Sequence, residues 1–210
     1  MKIAIFGASG STGLRLIEQA IERGYSVTAF VRDSKRITIH HDHLTILEGS
    51  VFNTHEVELA IQGQDAVIVA LGANSSSPAD ICAKATLNIV NGMKKHQVKR
   101  IIVLTGFGTS PASRRQLGCV MRIVVKTISL LMYREFTDKE KQDEVVRQSG
   151  LIWTIVQPPK LTDGPKKGEF KHGSFQPSML AQISRSDVAT FMLDEVEHSR
   201  YLNQSTYLHN

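Results

Sequence analysis

The residues that most restrict this chain come first: Lys2-Ile3-Ala4-Ile5-Phe6-Gly7-Ala8-Ser9-Gly10-Ser11-Thr12-Gly13. The apolar run that begins at the second residue reads as a buried strand. From Leu14 through Leu16, Ile17, Ala20 and Ile21 the apolar spacing is helical. Between strand and helix, Gly7, Gly10 and Gly13 punctuate a turn with the spacing GxxGxxG. Glycines alone specify little, but strand, glycine turn and helix start in immediate succession build an anion site. The glycines allow a tight turn and let a pyrophosphate approach the backbone, while free N–H groups at the helix start point toward it. Gly7, Ser9, Gly10, Ser11, Thr12 and Gly13 are therefore the first candidate binding residues.

The rest of the chain repeats the alternation. The first helix should end at Gly24, since a left-handed residue after a helix suits glycine. Strands are expected over 25–31, 44–49, 66–70 and 100–104, with helices over 54–61 (capped by Asn53 or Thr54) and 79–96. Strand and helix in turn predict an α/β fold, a Rossmann-like doubly wound parallel sheet with right-handed crossovers. The second half is looser. Polar loops are expected at 71–78 and 105–111, a helix rich in β-branched residues from Gln116 to Met132, and a charged helix from Thr137 to Gln148. A strand over 151–156 follows, ended by Gln157-Pro158-Pro159-Lys160. The segment 162–180, with Gly164, Pro165, Gly168, Gly173 and Pro177, is too rich in turn residues for a long element. Ser186-Asp187 should cap a last helix through Glu197, and 205–208 should add an edge strand. Residues 1–210 thus read as a single domain with a small irregular C-terminal lobe.

Composition narrows the function classes. The 210 residues are 41% hydrophobic and 21% charged, ordinary for a soluble globular chain. The formal charge of +5 suits anionic cofactors and substrates. No compact Lys/Arg block with interleaved aromatics occurs, so nucleic acid is not an expected partner. Cys82 and Cys119 lie outside any CxxC pair, which argues against structural zinc and for reduced thiols in a reducing compartment. The chain enters its first strand without the charged and apolar regions of a signal peptide. No uncharged run reaches the roughly 18 residues of a membrane span. The expectation is a cytoplasmic protein, monomer or homodimer.

In dinucleotide folds an acidic residue about 20 positions beyond the glycines holds the ribose hydroxyls, whereas an arginine there accommodates a 2′-phosphate. This chain has Arg32 at that distance, with Lys35 and Arg36 behind it and Asp33 one position late. A guanidinium binds a phosphate dianion in bidentate fashion, so NADP(H) is the expected cofactor. Parallel sheets bind ligands at the carboxyl ends of their strands. That rule brings together Arg32, Ser50-Val51, Leu71-Gly72-Ala73, Thr105-Gly106 and Pro158-Pro159-Lys160. Gly72 and Ala73 are small enough for close backbone approach, and Lys160 would contact a phosphate or an acidic substrate.

Other candidates carry less. Tyr133 is followed four residues later by Thr137, and Lys139 falls two positions too late for a helical Tyr-x-x-x-Lys pair. His40, His41 and His43 read as solvated loop residues, and Trp153 as core. Arg114, Arg115, Arg122 and Lys126 interleave with Val120, Met121, Ile123, Val124 and Val125. That helix should cover the cleft or pack on the sheet; a membrane-surface or partner-facing role is the alternative.

The chain resembles the small atypical branch of the short-chain dehydrogenase/reductases, the group of biliverdin-IXβ reductase-like flavin reductases and NmrA-like NADP-binding regulators. The resemblance rests on Ile3 through Gly13, Val31-Arg32-Asp33-Ser34, Gln64-Asp65-Ala66-Val67-Ile68-Val69, Ser149-Gly150-Leu151 and Pro158-Pro159. It implies that Arg32 and Arg36 grip the 2′-phosphate, that Thr105 lies near the nicotinamide and that Pro158-Pro159 flank the ring. The chain departs from that pattern at Gly106, Lys160 and Ser50, where serine, histidine and aspartate are usual. Without a tyrosine–lysine pair, a ketone's developing alkoxide lacks its proton donor. A flavin or another conjugated acceptor spreads the incoming charge, and orientation alone lowers such a barrier by about 7–11 kcal/mol in favourable cases. The expected activity is NADPH-dependent hydride transfer to a flavin or similar conjugated small molecule, with FMN or FAD as candidate substrates. Thr105 would orient the cofactor amide, and Lys160 would attract acceptor charge or relay a proton. The alternative is an NADP(H)-binding redox sensor of the NmrA type, without turnover.

Overall fold

The computed structural model describes residues 1–73, 77–115, 117–174, 178 and 181–210, with the side chain of Ala112 left aside. Asn74 to Ser76 of the expected polar loop, the expected helix start at Gln116 and the turn residue Pro177 lie outside the described residues. In chain order the elements are β1 (Lys2–Phe6), α1 (Ser11–Glu22), β2 (Ser26–Val31), β3 (Leu44–Glu48), α2 (Thr54–Ile61), β4 (Ala66–Val69), α3 (Ile81–Lys95) and β5 (Arg100–Leu104). There follow α4 (Pro111–Arg115), α5 (Cys119–Leu131), α6 (Tyr133–Arg147), β6 (Ile152–Gln157), β7 (Lys160–Thr162), β8 (Lys171–Gly173), β9 (Gln182–Ser184), α7 (Arg185–His198) and β10 (Gln204–His209).

β1 explains the architecture. Its side chains alternate between two cores, so it is apolar on both faces, as a strand covered by helices on either side must be. Ile3 and Ile5 join Leu16 and Ile17 of α1 and Val188, Phe191 and Met192 of α7. Ala4 and Phe6 join Val57 and Ile61 of α2, Ile89 and Met93 of α3, and Val146 of α6. Each enclosed Ile or Phe contributes about 1.5–3 kcal/mol relative to an exposed one. The main sheet runs β3-β2-β1-β4-β5-β6-β10-β8, all parallel except β8, and β7 pairs with β9 in a second, two-stranded sheet. This is a Rossmann-like doubly wound α/β domain, and the small β7–β9 sheet is formed by segments that follow β6 in the C-terminal part of the chain.

The order of connection reverses at β1, which lies between β2 and β4. Phe6 is level with Phe30 on one side and Val69 on the other, so Gly7, Val31 and Ala70 emerge together at one edge. A crevice opens there, as it does wherever the winding of an open parallel sheet changes direction.

Some expected boundaries differ. β10 is covered by β8, so it is not an edge strand. α6 begins at Tyr133, separated from α5 by Met132 alone. Lys160 opens β7 instead of ending a loop. The cap of α7 is Ser184, whose hydroxyl accepts from the Asp187 amide at 3.0 Å and donates to its carboxylate at 2.8 Å. Gly24 does follow α1 with φ +76°, and Trp153 is buried beneath the Arg147 guanidinium. The loop histidines are exposed, and the His41 ring nitrogen accepts from the amide of His43. Among the described residues no helix is long and apolar enough to cross a membrane.

Candidate functional site

The site grows from the turn after β1. Gly7 has φ +83°, and a Cβ there would lie 2.6 Å from the Ala70 carbonyl oxygen, so only glycine lets the chain leave β1 so close to the end of β4. A Cβ on Gly13 would stand 2.2 Å from the Gly7 carbonyl oxygen, so this glycine lets α1 rest directly on the turn. α1 starts at Gly10 with no side-chain cap and no acidic residue in its first turn among the described residues. Its first N–H groups and the positive end of its dipole are left for an outside anion.

The strand ends complete a crevice of about 840 Å³, within the size range of small-molecule sites. Ser9, Gly10, Ser11 and Thr12 line it, with Phe30 and Val31 at the end of β2, Arg32 and Arg36 beyond it, and Gly49 and Val51 after β3. Leu71, Gly72 and Ala73 follow β4, and Leu104 and Thr105 close β5. Lys139 of α6, Leu161 of β7 and Arg185 of α7 supply the remaining walls.

The acids nearest the two arginines are turned elsewhere. Asp33 accepts from the Lys35 amide at 3.1 Å, capping its own turn. Glu48 accepts from the Ser34 amide at 2.9 Å, and hydrogen bonding from the Ser34 side chain and backbone, with Lys35 nearby, holds its carboxyl below the ordinary value. Deeper in, the Lys139 ammonium donates to the carbonyls of Leu71 (2.7 Å) and Leu104 (3.1 Å) and to Oε1 of Gln142 (2.9 Å). Its three protons are placed, so it is a fixed positive charge between the ends of β4 and β5. The neighbouring Asp138 accepts from the amides of Cys82 (2.9 Å) and Ala83 (2.8 Å), capping α3 from another helix. Thr105 is buried, and its Oγ1 has no hydrogen-bond partner among the described residues. A buried hydroxyl left in that state on the wall of a crevice fits a bound polar group.

Arg32, Arg36, Lys139 and Arg185 give the wall four cations, and among the described residues it holds no Asp, Glu, His, Tyr or Cys. A glycine cradle at a helix start, a carboxylate-free basic lining and a switch point of a parallel sheet suit a phosphorylated dinucleotide. A family model described as NAD(P)H-binding matches residues 7–199. The chain belongs to the NAD(P)H-binding family. Among the relatives of this NAD(P)H-binding chain is the uncharacterized protein YwnB of Bacillus subtilis, 27% identical over 219 residues that cover 97% of this chain and 96% of YwnB. A short-chain dehydrogenase/reductase from Veillonella parvula, solved in complex with NADP, superposes with a TM-score of 0.83 at 21% identity, covering 100% of this chain and 94% of that one. ChuY, an anaerobillin reductase from Escherichia coli O157:H7, gives 0.81 at 19% identity, covering 99% and 96%. At these identities the two structures share the fold.

Most residues picked from sequence line the crevice: Gly7, Ser9, Gly10, Ser11, Thr12, Arg32, Arg36, Val51, Leu71, Gly72, Ala73 and Thr105, with Gly13 packed beneath the turn. Ser50, Pro158, Pro159 and Lys160 fall outside the lining. The Ser50 amide donates to Glu56 at 2.7 Å and its hydroxyl accepts from Phe52, which leaves Gly49 and Val51 on the wall. Pro158 is buried, and its carbonyl accepts from the Phe107 amide at 3.1 Å. Lys160 is exposed; in β7 alternate residues face opposite ways, and Leu161 is the one that reaches the crevice. Sequence reasoning missed Lys139, Arg185, Gly49 and Leu161. For Lys139 the available signal was a lysine on a charged helix, discarded for want of a tyrosine four residues before it. For Arg185 it was a position just beyond a three-residue strand.

Proposed function

We propose that the chain is an NADPH-dependent reductase whose acceptor is a flavin or a similar conjugated molecule. One observation carries the reading: the wall has four cations and, among its described residues, no side chain that could act as a carboxylic, imidazole or phenolic acid. Arg32 and Arg36 are free to hold a 2′-phosphate because Asp33 and Glu48 are engaged with backbone amides. The amides at the start of α1 would take the pyrophosphate, and the Thr105 hydroxyl would bond the carboxamide end. When bound, the reduced nicotinamide supplies a hydride. Lys139 stands beside Thr105 and is held by two strand-end carbonyls, so its charge is positioned before any reaction and stabilises an acceptor as it becomes negative. This role replaces the one expected of Lys160. A conjugated acceptor suits such a site because it spreads charge and asks mainly for alignment.

The test is stopped-flow oxidation of NADPH with FMN, FAD, quinones and biliverdin. Acceptor-dependent turnover is expected, and Lys139→Met should lower kcat by roughly 10²–10³-fold, the usual loss when one fixed electrostatic stabiliser is removed. Tight NADPH binding with no turnover on any acceptor would leave the sensor reading in place of the reductase.

A further inference from the structure

α5 is packed inside out. An ordinary surface helix buries its apolar stripe, yet here Val125 is the only residue buried among those described. Val120, Ile123, Leu130 and Leu131 are 66%, 67%, 68% and 81% exposed. At 3.6 residues per turn these four fall on one stripe about 100° wide. Met132 and Tyr133, where the chain passes from α5 to α6, are exposed as well. A contiguous apolar surface of this kind marks an interaction site. Its charge has one sign: residues 113–134 contain Arg114, Arg115, Arg122, Lys126 and Arg134 and no Asp or Glu. Arg114 pairs with Glu140, and the other four have no carboxylate partner among the described residues. Lys126 flanks the apolar stripe, and Arg122, farther round the same side, donates to the carbonyls of Leu117 (2.9 Å) and Arg115 (2.7 Å).

We propose that this face docks in plane on an anionic lipid bilayer. Apolar residues along one stripe with Arg and Lys beside them are what an interfacial helix requires, the long basic side chains reaching the headgroups while the stripe enters the acyl boundary. Tyr133 brings a ring with one polar end, suited to the same depth. Thirteen residues make a helix about 20 Å long, enough to lie in the interface and too short to cross it. A second copy fits worse, because a two-fold contact sets the same four cations against each other. Val125, on the opposite side of α5 from that stripe, anchors the helix where a Cβ on Gly108 would come within 2.8 Å of it, so the loop after β5 lies a helix's width behind the docking face.

Flotation of the full chain with vesicles decides the matter, using phosphatidylcholine alone and phosphatidylcholine with about one-third phosphatidylglycerol, each at low and high salt. Binding is expected to the anionic vesicles only, and to weaken as salt rises. Replacing Arg115 and Lys126 with Gln should lower the partition coefficient about fivefold per residue. Ile123→Glu with Leu131→Glu should abolish flotation while circular dichroism and thermal midpoint stay unchanged, since both side chains already face solvent. The proposal is overturned if anionic vesicles do not float the chain, or if the glutamate variant floats as well as the parent. Sedimentation showing a dimer that the glutamate variant disperses, with no vesicle binding, would overturn it in favour of self-association.

Discussion

Arg32 shows how much one side chain decides. It follows β2 at the level of the glycine turn, and the neighbouring carboxylate, Asp33, is tied to the Lys35 amide. Reversing the charge should therefore reverse the choice of cofactor. In Arg32→Glu the Kd for NADPH is expected to rise roughly 10–100-fold, the worth of a hydrogen bond to a charged group, while that for NADH changes little. Titrating both dinucleotides by calorimetry checks this, and equal losses for the two would remove Arg32 from the phosphate. At this scale the sequence is legible where a residue directly follows a well-marked apolar strand, as Arg32 and Thr105 do. Positions one residue off, such as Ser50 for Gly49, are lost because a strand's end is set by its last ladder bond, which composition does not reveal. Lys139 and Arg185 were missed for another reason: α6 and the start of α7 deliver them across long sequence gaps.

Among the elements, α6 departs furthest from its pattern. Its inward face is polar, with Asp138, Gln142 and Asp143 buried beside Val146, so hydrophobic periodicity could not mark its start. Asp138 caps α3, Gln142 donates to Thr86 at 2.9 Å, and Asp143 pairs with Arg147. At the start of α7, Asp187 does similar service. Burial alone would push its carboxyl up, but the amides of Gly168 and Lys167, the Ser184 hydroxyl and Asn210 together hold it below its ordinary value. A carboxylate with a lowered native pKa stabilises the fold above its unfolded value, near 3.9, and loses that contribution as pH falls through the native value. Asp187→Asn should therefore cost about 2 kcal/mol near neutral pH. Its deficit should shrink once pH drops below about 4, as urea melts of both proteins across that range will show. A deficit independent of pH would mean that shape, and not charge, is what Asp187 supplies. Sequence placed this helix correctly but chose Ser186 for its cap, since two serines two residues apart offer the same chemistry.

For the whole molecule, two cores on either side of one sheet were readable because β4 is apolar throughout and β1 and β5 are apolar beyond their opening Lys2 and Arg100, the pattern of strands covered on both faces. The place of β10 was not, because a short strand of mixed polarity looks the same at an edge as beside one. The crevice draws on residues from Gly7 to Arg185, so a ligand filling it braces nearly the full length of the chain. NADPH at about a hundred times its Kd should add about 2.7 kcal/mol to stability. For a chain of this size that raises Tm by about 5–10 °C in a calorimetric scan, with a smaller rise for NADH at equal concentration. Equal shifts would deny the preference. The contrast between two consecutive helices has an evolutionary side. Asp138 and Lys139 are adjacent, yet they serve the start of α3 and the ends of two strands, so sliding α6 by one position would turn both away from their partners. Among the described residues of α5 only Val125 is buried. Substitutions on that outward helix are therefore expected to be tolerated where a shift of α6 would disturb the walls of the crevice.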